Sequence, residues 1–245
     1  MPDPKMRRRD VLLGAGVVGA SALPIAAPPA VAQPAAPAAT PAKGAAPAAG
    51  PAPAGYTFLK PSEQAFVEAM VDHMIPADEL TPSGTDVGLA IFIDRACAGS
   101  WGKGDRLYLQ GPWKQGSANQ GYQLPLTPAE LYQRGIAGSN AYCRKTWGKS
   151  FDRLAAADKE TFLKDLAAGK IMFAGGIPGR EFFTMAYQTV MEGLFSDPIY
   201  GGNRNMVGWR MVGFPGVGAN NAENIKKYND GTRFTVEPLG IADFS

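Results

Sequence analysis

The sequence predicts a mainly α-helical domain with long Gly-, Pro- and aromatic-rich loops, placed after a signal peptide and a disordered Ala/Pro tether. Three observations carry this prediction. Apolar residues recur at intervals of three and four in four separate segments, the spacing of one helix face. Strand-like alternation is nearly absent, and residues 233–236 (RFTV) form the one short β-like run. Finally, residues 28–55 are Ala, Pro or Gly except for Val31, Gln33, Thr40 and Lys43, a composition that cannot bury enough apolar surface to offset the cost of ordering it.

Taken in order, the chain divides into residues 1–32, 33–55 and 56–245. The first part sets Arg7, Arg8 and Arg9 before thirteen uncharged, mostly apolar residues from Val11 to Leu23, the layout of a secretory signal. That run is short of the ~20 residues a membrane-spanning helix needs. Ala30, Val31 and Ala32 supply a small-residue cleavage site. Arg8 and Arg9, followed by Asp10, Val11 and Leu12, resemble the twin-arginine export motif, with Val11 and Leu13 where Phe and Lys are usual. The glycines at 14, 16 and 19 fit a dinucleotide fingerprint. Pro24 would break the helix that must follow them, and no acidic residue occurs between Asp10 and Glu63, so nucleotide binding is excluded. The second part reads as an extended tether.

In the third part, KPSEQAFVEAMVDHMIP places Phe66, Val67, Met70, Val71 and Met74 on one face and ends at Pro76. Thr127, Pro128 and Glu130 read as N-cap, first helical position and capping box of a helix that continues towards Trp147. A third helix carries Phe162, Leu163 and Leu166, with Gly169 as terminator. A fourth sets Phe182, Phe183, Ala186, Val190, Met191 and Leu194 at core spacing. Two long connections remain, residues 99–125 and 196–220. Loops of that length are functional or disordered, and Trp101, Tyr108, Trp113 and Tyr122 argue against disorder in the first.

The residue inventory narrows the chemistry. The leader holds four of the 24 basic and two of the 22 acidic residues, which leaves the remainder formally neutral. Neither a basic patch for nucleic acid nor a polybasic membrane anchor is visible. With two cysteines and one histidine, no Cys-x-x-Cys-His haem site, iron–sulfur cluster or four-ligand zinc site can be assembled. His73 beside Asp72 reads as a histidine near a helix end rather than a catalytic base. Cys97 and Cys143 are expected to pair in an oxidising compartment, closing a loop of about 47 residues worth about 4 kcal/mol. Two buried free thiols are the alternative reading.

The stretch FSDPIYGGNRNMVGWRMVGFPG, residues 195–216, reads neither as an amphipathic helix nor as an alternating strand. Phe195, Tyr200, Trp209 and Phe214 need something to pack against, which is either the domain itself or a partner. Trp, Tyr and Arg are enriched at interface hot spots, and Tyr200, Arg204, Trp209 and Arg210 fall within eleven positions.

That stretch, together with IPADELTPSGTDVGLAIFIDR, RLYLQGPWKQG, GYQLPLTPAELYQRGI and the leader, resembles the subunit 3 (small subunit) family of gluconate 2-dehydrogenase, from Tyr56 to the C-terminus. The resemblance implies a noncatalytic subunit with no cofactor of its own. Its implied partners are an FAD-containing catalytic subunit of the glucose–methanol–choline type, a multihaem cytochrome c and the export translocase. The complex would be periplasmic and membrane-associated, and would oxidise gluconate, fructose, sorbitol or glucose. The small chain would serve maturation and twin-arginine export of the flavoprotein. Phe195, Asp197, Tyr200, Asn203, Arg204, Trp209, Arg210 and Phe214 are then the expected partner interface. Two other readings are an independent enzyme using Asp72, His73, Asp78 or Glu79, and a sugar-binding module with Trp101, Trp113 and Trp209 as platforms.

Overall fold

The computed structural model describes residues 55–114, 116–218, 222–231 and 236–244. The leader with Arg8 and Arg9, nearly all of the tether, and most of the RFTV run lie outside the described residues. What is described is mainly helical. The helices are α1 (Pro61–Met74), α2 (Leu89–Ala98), α3 (Pro128–Trp147), α4 (Ala156–Ala167), α5 (Gly179–Phe195), α6 (Val207–Val212) and α7 (Ala222–Tyr228).

Four of these follow the sequence closely. Pro61 opens α1, and the backbone N–H of Lys60 donates to Glu63 at 2.9 Å. Phe66, Val67, Met70 and Val71 of α1 are buried. Thr127 caps α3 as its sequence predicts: Glu130 N–H donates to Thr127 Oγ1 at 3.2 Å, and Thr127 N–H donates to the Glu130 carboxylate at 2.8 Å. Helix α4 is followed by Gly169 at φ +72°. Along α5 the core-facing residues are Phe182, Ala186, Thr189, Val190, Gly193 and Leu194, while Phe183 and Met191 lie half-buried at the edge.

Helix α5 is the hub, packing against α2, α3, α4 and α6. Its Phe182 ring meets Tyr132 edge-on at 5.9 Å, Phe66 at 6.1 Å and Phe173 at 6.2 Å. Gly135 on α3 makes room for that ring, since a Cβ there would stand 2.2 Å from a Phe182 ring carbon. A mid-helix glycine costs about 1 kcal/mol relative to alanine; here it admits the largest buried ring of α5.

Helix α2 has no counterpart in the sequence reading. It begins after Gly88, at φ +93°, without a side-chain cap, and buries Leu89, Ala90, Ile91, Ile93, Asp94 and Cys97. Leu89, Ala90, Ile93 and Cys97 share its buried face with the acidic Asp94, which interrupts the apolar pattern. A two-residue antiparallel hairpin, β1 (Met172–Phe173) with β2 (Ile177–Pro178), is the one sheet among the described residues. Of RFTV only Val236 is described, and it is exposed.

The expected Cys97–Cys143 disulfide is not formed: both cysteines are free and buried. The helices set them far apart. Cys97 lies against Gly102, where a Cβ would come within 1.9 Å of the Cys97 carbonyl oxygen, and the Gly102 carbonyl accepts from Ala129 N–H at 3.0 Å. That places Cys97 beside the first turn of α3. Cys143 sits fourteen residues beyond Ala129 on the same helix, about 21 Å along its axis, whereas a disulfide needs Cα atoms within about 7 Å. Each thiol instead fills the core as a small apolar group, and burial pushes Cys143 up to about 12 despite Arg144 nearby.

Candidate functional site

The segment after α5 is held by its own polar side chains. Asp197 is buried and accepts from Ile199 N–H at 3.0 Å, which starts a 3-10 turn at Pro198–Tyr200. Its second carboxylate oxygen accepts from Ile241 N–H at 2.8 Å, tying the C-terminal segment to the same point. Gly202 lies on the end of α5, where a Cβ would be 2.4 Å from the Gly193 carbonyl oxygen. Asn203 is fully buried: its amide donates to the Ser196 carbonyl at 2.8 Å and accepts from Gly208 N–H at 2.8 Å.

Asn203, Asn205 and Met206 all have positive φ, at 46°, 56° and 55°. Asparagine tolerates that region, but methionine there is strained by about 1 kcal/mol or more. The surroundings hold it: Met206 N–H donates to the Asn203 carbonyl at 2.8 Å, and the Arg210 guanidinium donates to the Asn205 carbonyl. Met206 then leads into α6, a six-residue helix inside a stretch whose sequence shows no helical pattern. Trp209 of α6 is only 4% exposed, donates its indole N–H to the Phe195 carbonyl at 2.7 Å, and meets Phe214 edge-on at 5.1 Å.

Two further contacts fix this loop to the body. Arg204 N–H donates to the Val87 carbonyl at 2.9 Å, just before α2. The chain end runs beside the loop, with Val217 N–H donating to the Leu239 carbonyl at 2.7 Å and Arg210 paired to Glu237 at 3.1 Å.

The eight predicted interface residues therefore divide. Asp197, Asn203 and Trp209 are internal braces, and Phe195 packs half-buried against the core. Arg204 is half-exposed. Tyr200, Arg210 and Phe214 face outward. Around them the structure adds exposed apolar side chains that the sequence reading missed: Ile199, Met211, Val212, Val217, Leu239 and Ile241. One signal for part of this set was in the sequence. Once Trp209 points inward, Met211, two residues on along the same short helix, must point elsewhere. Arg95 stands at the edge, its guanidinium 2.8 Å from where a Gly201 Cβ would lie, with no polar partner among the described residues. A braced backbone thus presents apolar side chains flanked by arginines, the composition of a protein-binding surface.

The competing candidates occupy ordinary structural roles. His73 Nε2 sits 2.9 Å from Glu160 of α4. Burial works to raise the Glu160 carboxyl, but hydrogen bonds with His73 and Lys164 outweigh it and hold the group below the usual range. Asp72 accepts from Thr85 N–H at 2.7 Å, Asp78 accepts from Leu80 and Thr81 N–H, and Glu79 is exposed. No three His, Cys, Asp or Glu among the described residues gather as metal ligands. No described helix is long and apolar enough to cross a membrane. The three tryptophans share no site: Trp209 is buried, Trp113 projects from its loop, and Trp101 lines an open cleft of about 750 Å³ between the 101–128 segment and α5.

Asp94 is the buried charge that sequence reading passed over. Its carboxylate accepts from Thr57 N–H at 2.8 Å, Thr57 Oγ1 at 2.9 Å, Phe58 N–H at 2.9 Å and Leu59 N–H at 2.8 Å. Tyr56 adds a 2.6 Å bond to Glu68.

Comparison with known proteins gives one match. The family model described as gluconate 2-dehydrogenase subunit 3 matches residues 61–216, which run from the start of α1 through the braced loop. No curated protein and no solved structure matches.

Proposed function

This chain belongs to the gluconate 2-dehydrogenase subunit 3 family, and we propose that it is the noncatalytic small subunit of a periplasmic, membrane-associated, FAD-dependent dehydrogenase acting on a sugar or sugar acid. In this reading FAD and haem c belong to partner subunits. The small chain binds the folded flavoprotein, and its twin-arginine leader carries both across the membrane. The observation that carries the reading is the division of labour in residues 195–217. Buried Asp197, Asn203 and Trp209 spend their polar groups on holding the loop, while Tyr200, Phe214 and the apolar side chains beside them remain exposed on a fixed frame.

The test is coproduction of the full chain with its flavoprotein. Tyr200→Ala with Phe214→Ala is expected to weaken copurification at least tenfold, about 1.4 kcal/mol, with unchanged circular dichroism. Arg8→Lys with Arg9→Lys keeps the charge but removes the guanidinium fork, and is expected to leave both chains in the cytoplasm. Copurification unaffected by the first pair would refute docking through this surface. A flavoprotein that reaches the periplasm despite the second pair would refute the export role.

A further inference from the structure

We propose that the cleft between residues 101–128 and α5 is a binding site for a free polyhydroxylated ligand of one or two sugar rings. This goes beyond subunit docking and uses a different part of the molecule. The volume of about 750 Å³ falls within the roughly 300–1,000 Å³ of small-ligand sites.

Its two walls differ in chemistry. One carries aromatic rings, Trp101 and Tyr122. Trp101 packs edge-on against buried Tyr132 at 6.4 Å yet stays 37% exposed. Tyr122 is half-buried, and its hydroxyl donates to the Leu126 carbonyl at 2.8 Å, which fixes the ring before any ligand arrives. The opposite wall is a stripe of α5: Glu181, Thr184, Gln188 and Glu192, spaced at three and four residues and so aligned on one face. Gln188 donates to Glu192 at 3.0 Å, which orients both planar groups.

The polar groups have capacity to spare. The side chains of Arg106, Arg180, Glu181 and Thr184 line the cleft and make no hydrogen bond or ion pair among the described residues. Two guanidinium groups and two carboxylates leave the cleft without net charge, so it has no reason to select a strongly ionic ligand. What it offers is a set of polar donors and acceptors in one cleft with two aromatic side chains. A sugar matches both, since each hydroxyl donates and accepts, and the C–H face of the ring is apolar enough to lie on an aromatic. A solvated helix face alone would not account for a cleft that it shares with Trp101 and Tyr122 from a separate loop.

The experiment titrates the purified full chain, without partner, with glucose, sorbitol and maltose, following tryptophan fluorescence and saturation-transfer NMR. Saturable binding of at least one ring-containing probe is expected, with a Kd of about 1 mM or tighter. Trp101→Ala and, separately, Glu181→Gln with Thr184→Ala should each weaken it at least tenfold. The second variant changes surface positions and should melt with the wild type, so it carries the test if Trp101→Ala fails to fold. Tyr200→Ala should leave sugar binding intact, which separates this result from the docking surface. No saturable binding of any probe, or binding indifferent to the Glu181/Thr184 variant, overturns the proposal. Protection of the cleft by the partner chain without sugar binding overturns it as well and assigns the groove to protein contact.

Discussion

Asp94 shows how much one side chain can organise. Three consecutive backbone N–H groups and one hydroxyl converge on a carboxylate that is 1% exposed. Removing the acceptor strands the buried Leu59 N–H, while the Thr57 and Phe58 donors lie nearer to water, and a buried donor without a partner costs about 1–3 kcal/mol. Asp94→Ala is therefore expected to lower unfolding free energy by about 1–3 kcal/mol in urea denaturation, and an unchanged midpoint would contradict the clamp described. The His73–Glu160 pair bears on pH instead. Because the folded Glu160 carboxyl sits below its usual range, its contribution is complete above the unfolded carboxylate pKa and is lost as pH falls through the folded value. Glu160→Gln should thus lower the melting temperature near neutral pH and converge on the wild type in acid. A gap that persists unchanged at low pH would show that the pair acts through packing alone.

At the scale of elements, α6 depends on a contact that no sequence pattern reveals. Gly208 lies against the end of α5, where a Cβ would stand 2.0 Å from the Leu194 carbonyl oxygen. Gly208→Ala should therefore push α6 off α5, costing about 1–3 kcal/mol and breaking the Trp209–Phe195 bond, which near-ultraviolet circular dichroism would report. An unchanged tryptophan signal would contradict this packing. The same contrast explains what was legible in the sequence. Helices α1, α3, α4 and α5 announce themselves through one-sided apolar spacing, because each buries one face, and α3 through its Thr127 cap as well. Helix α2 starts at a left-handed glycine without a side-chain cap and carries Asp94 on its buried face, so both signals are weakened. Helix α6 is too short for periodicity, and the bonds of Asn203 that hold it join residues the sequence does not mark as neighbours. For the proposed surface, the sequence singled out a segment but not the orientation of its residues. Trp209 was marked by residue type, whereas its inward position follows from an indole bond to a carbonyl fourteen residues away.

For the whole molecule, the two unpaired thiols matter most. The core closes around Cys97 and Cys143 without a covalent link, so stability is expected to be the same in reducing and oxidising buffer. A disulfide over a loop of about 47 residues would instead contribute about 4 kcal/mol. Unfolding midpoints with and without reductant, together with a count of two alkylatable thiols after denaturation, check this. A reductant-dependent midpoint would contradict the free-thiol core. A fold that needs no oxidation can be completed in a reducing compartment, as carriage of a folded complex through the proposed route requires.

The clamp at Asp94 also has a mechanical meaning. Any load applied to the chain from its N-terminal side enters the described fold at residues 55–59 and meets the bonds of Thr57, Phe58 and Leu59 to one carboxylate before it meets α1. Those bonds share a single anchor, so they yield together rather than one after another. The anchor itself lies on α2, which packs against the hub helix α5. Tension below the strength of that cluster is passed to the rigid centre of the molecule, and tension above it frees only a few residues of slack. The attachment is thus expected to act as a breakaway coupling, in which residues 55–59 give way before the helical core does.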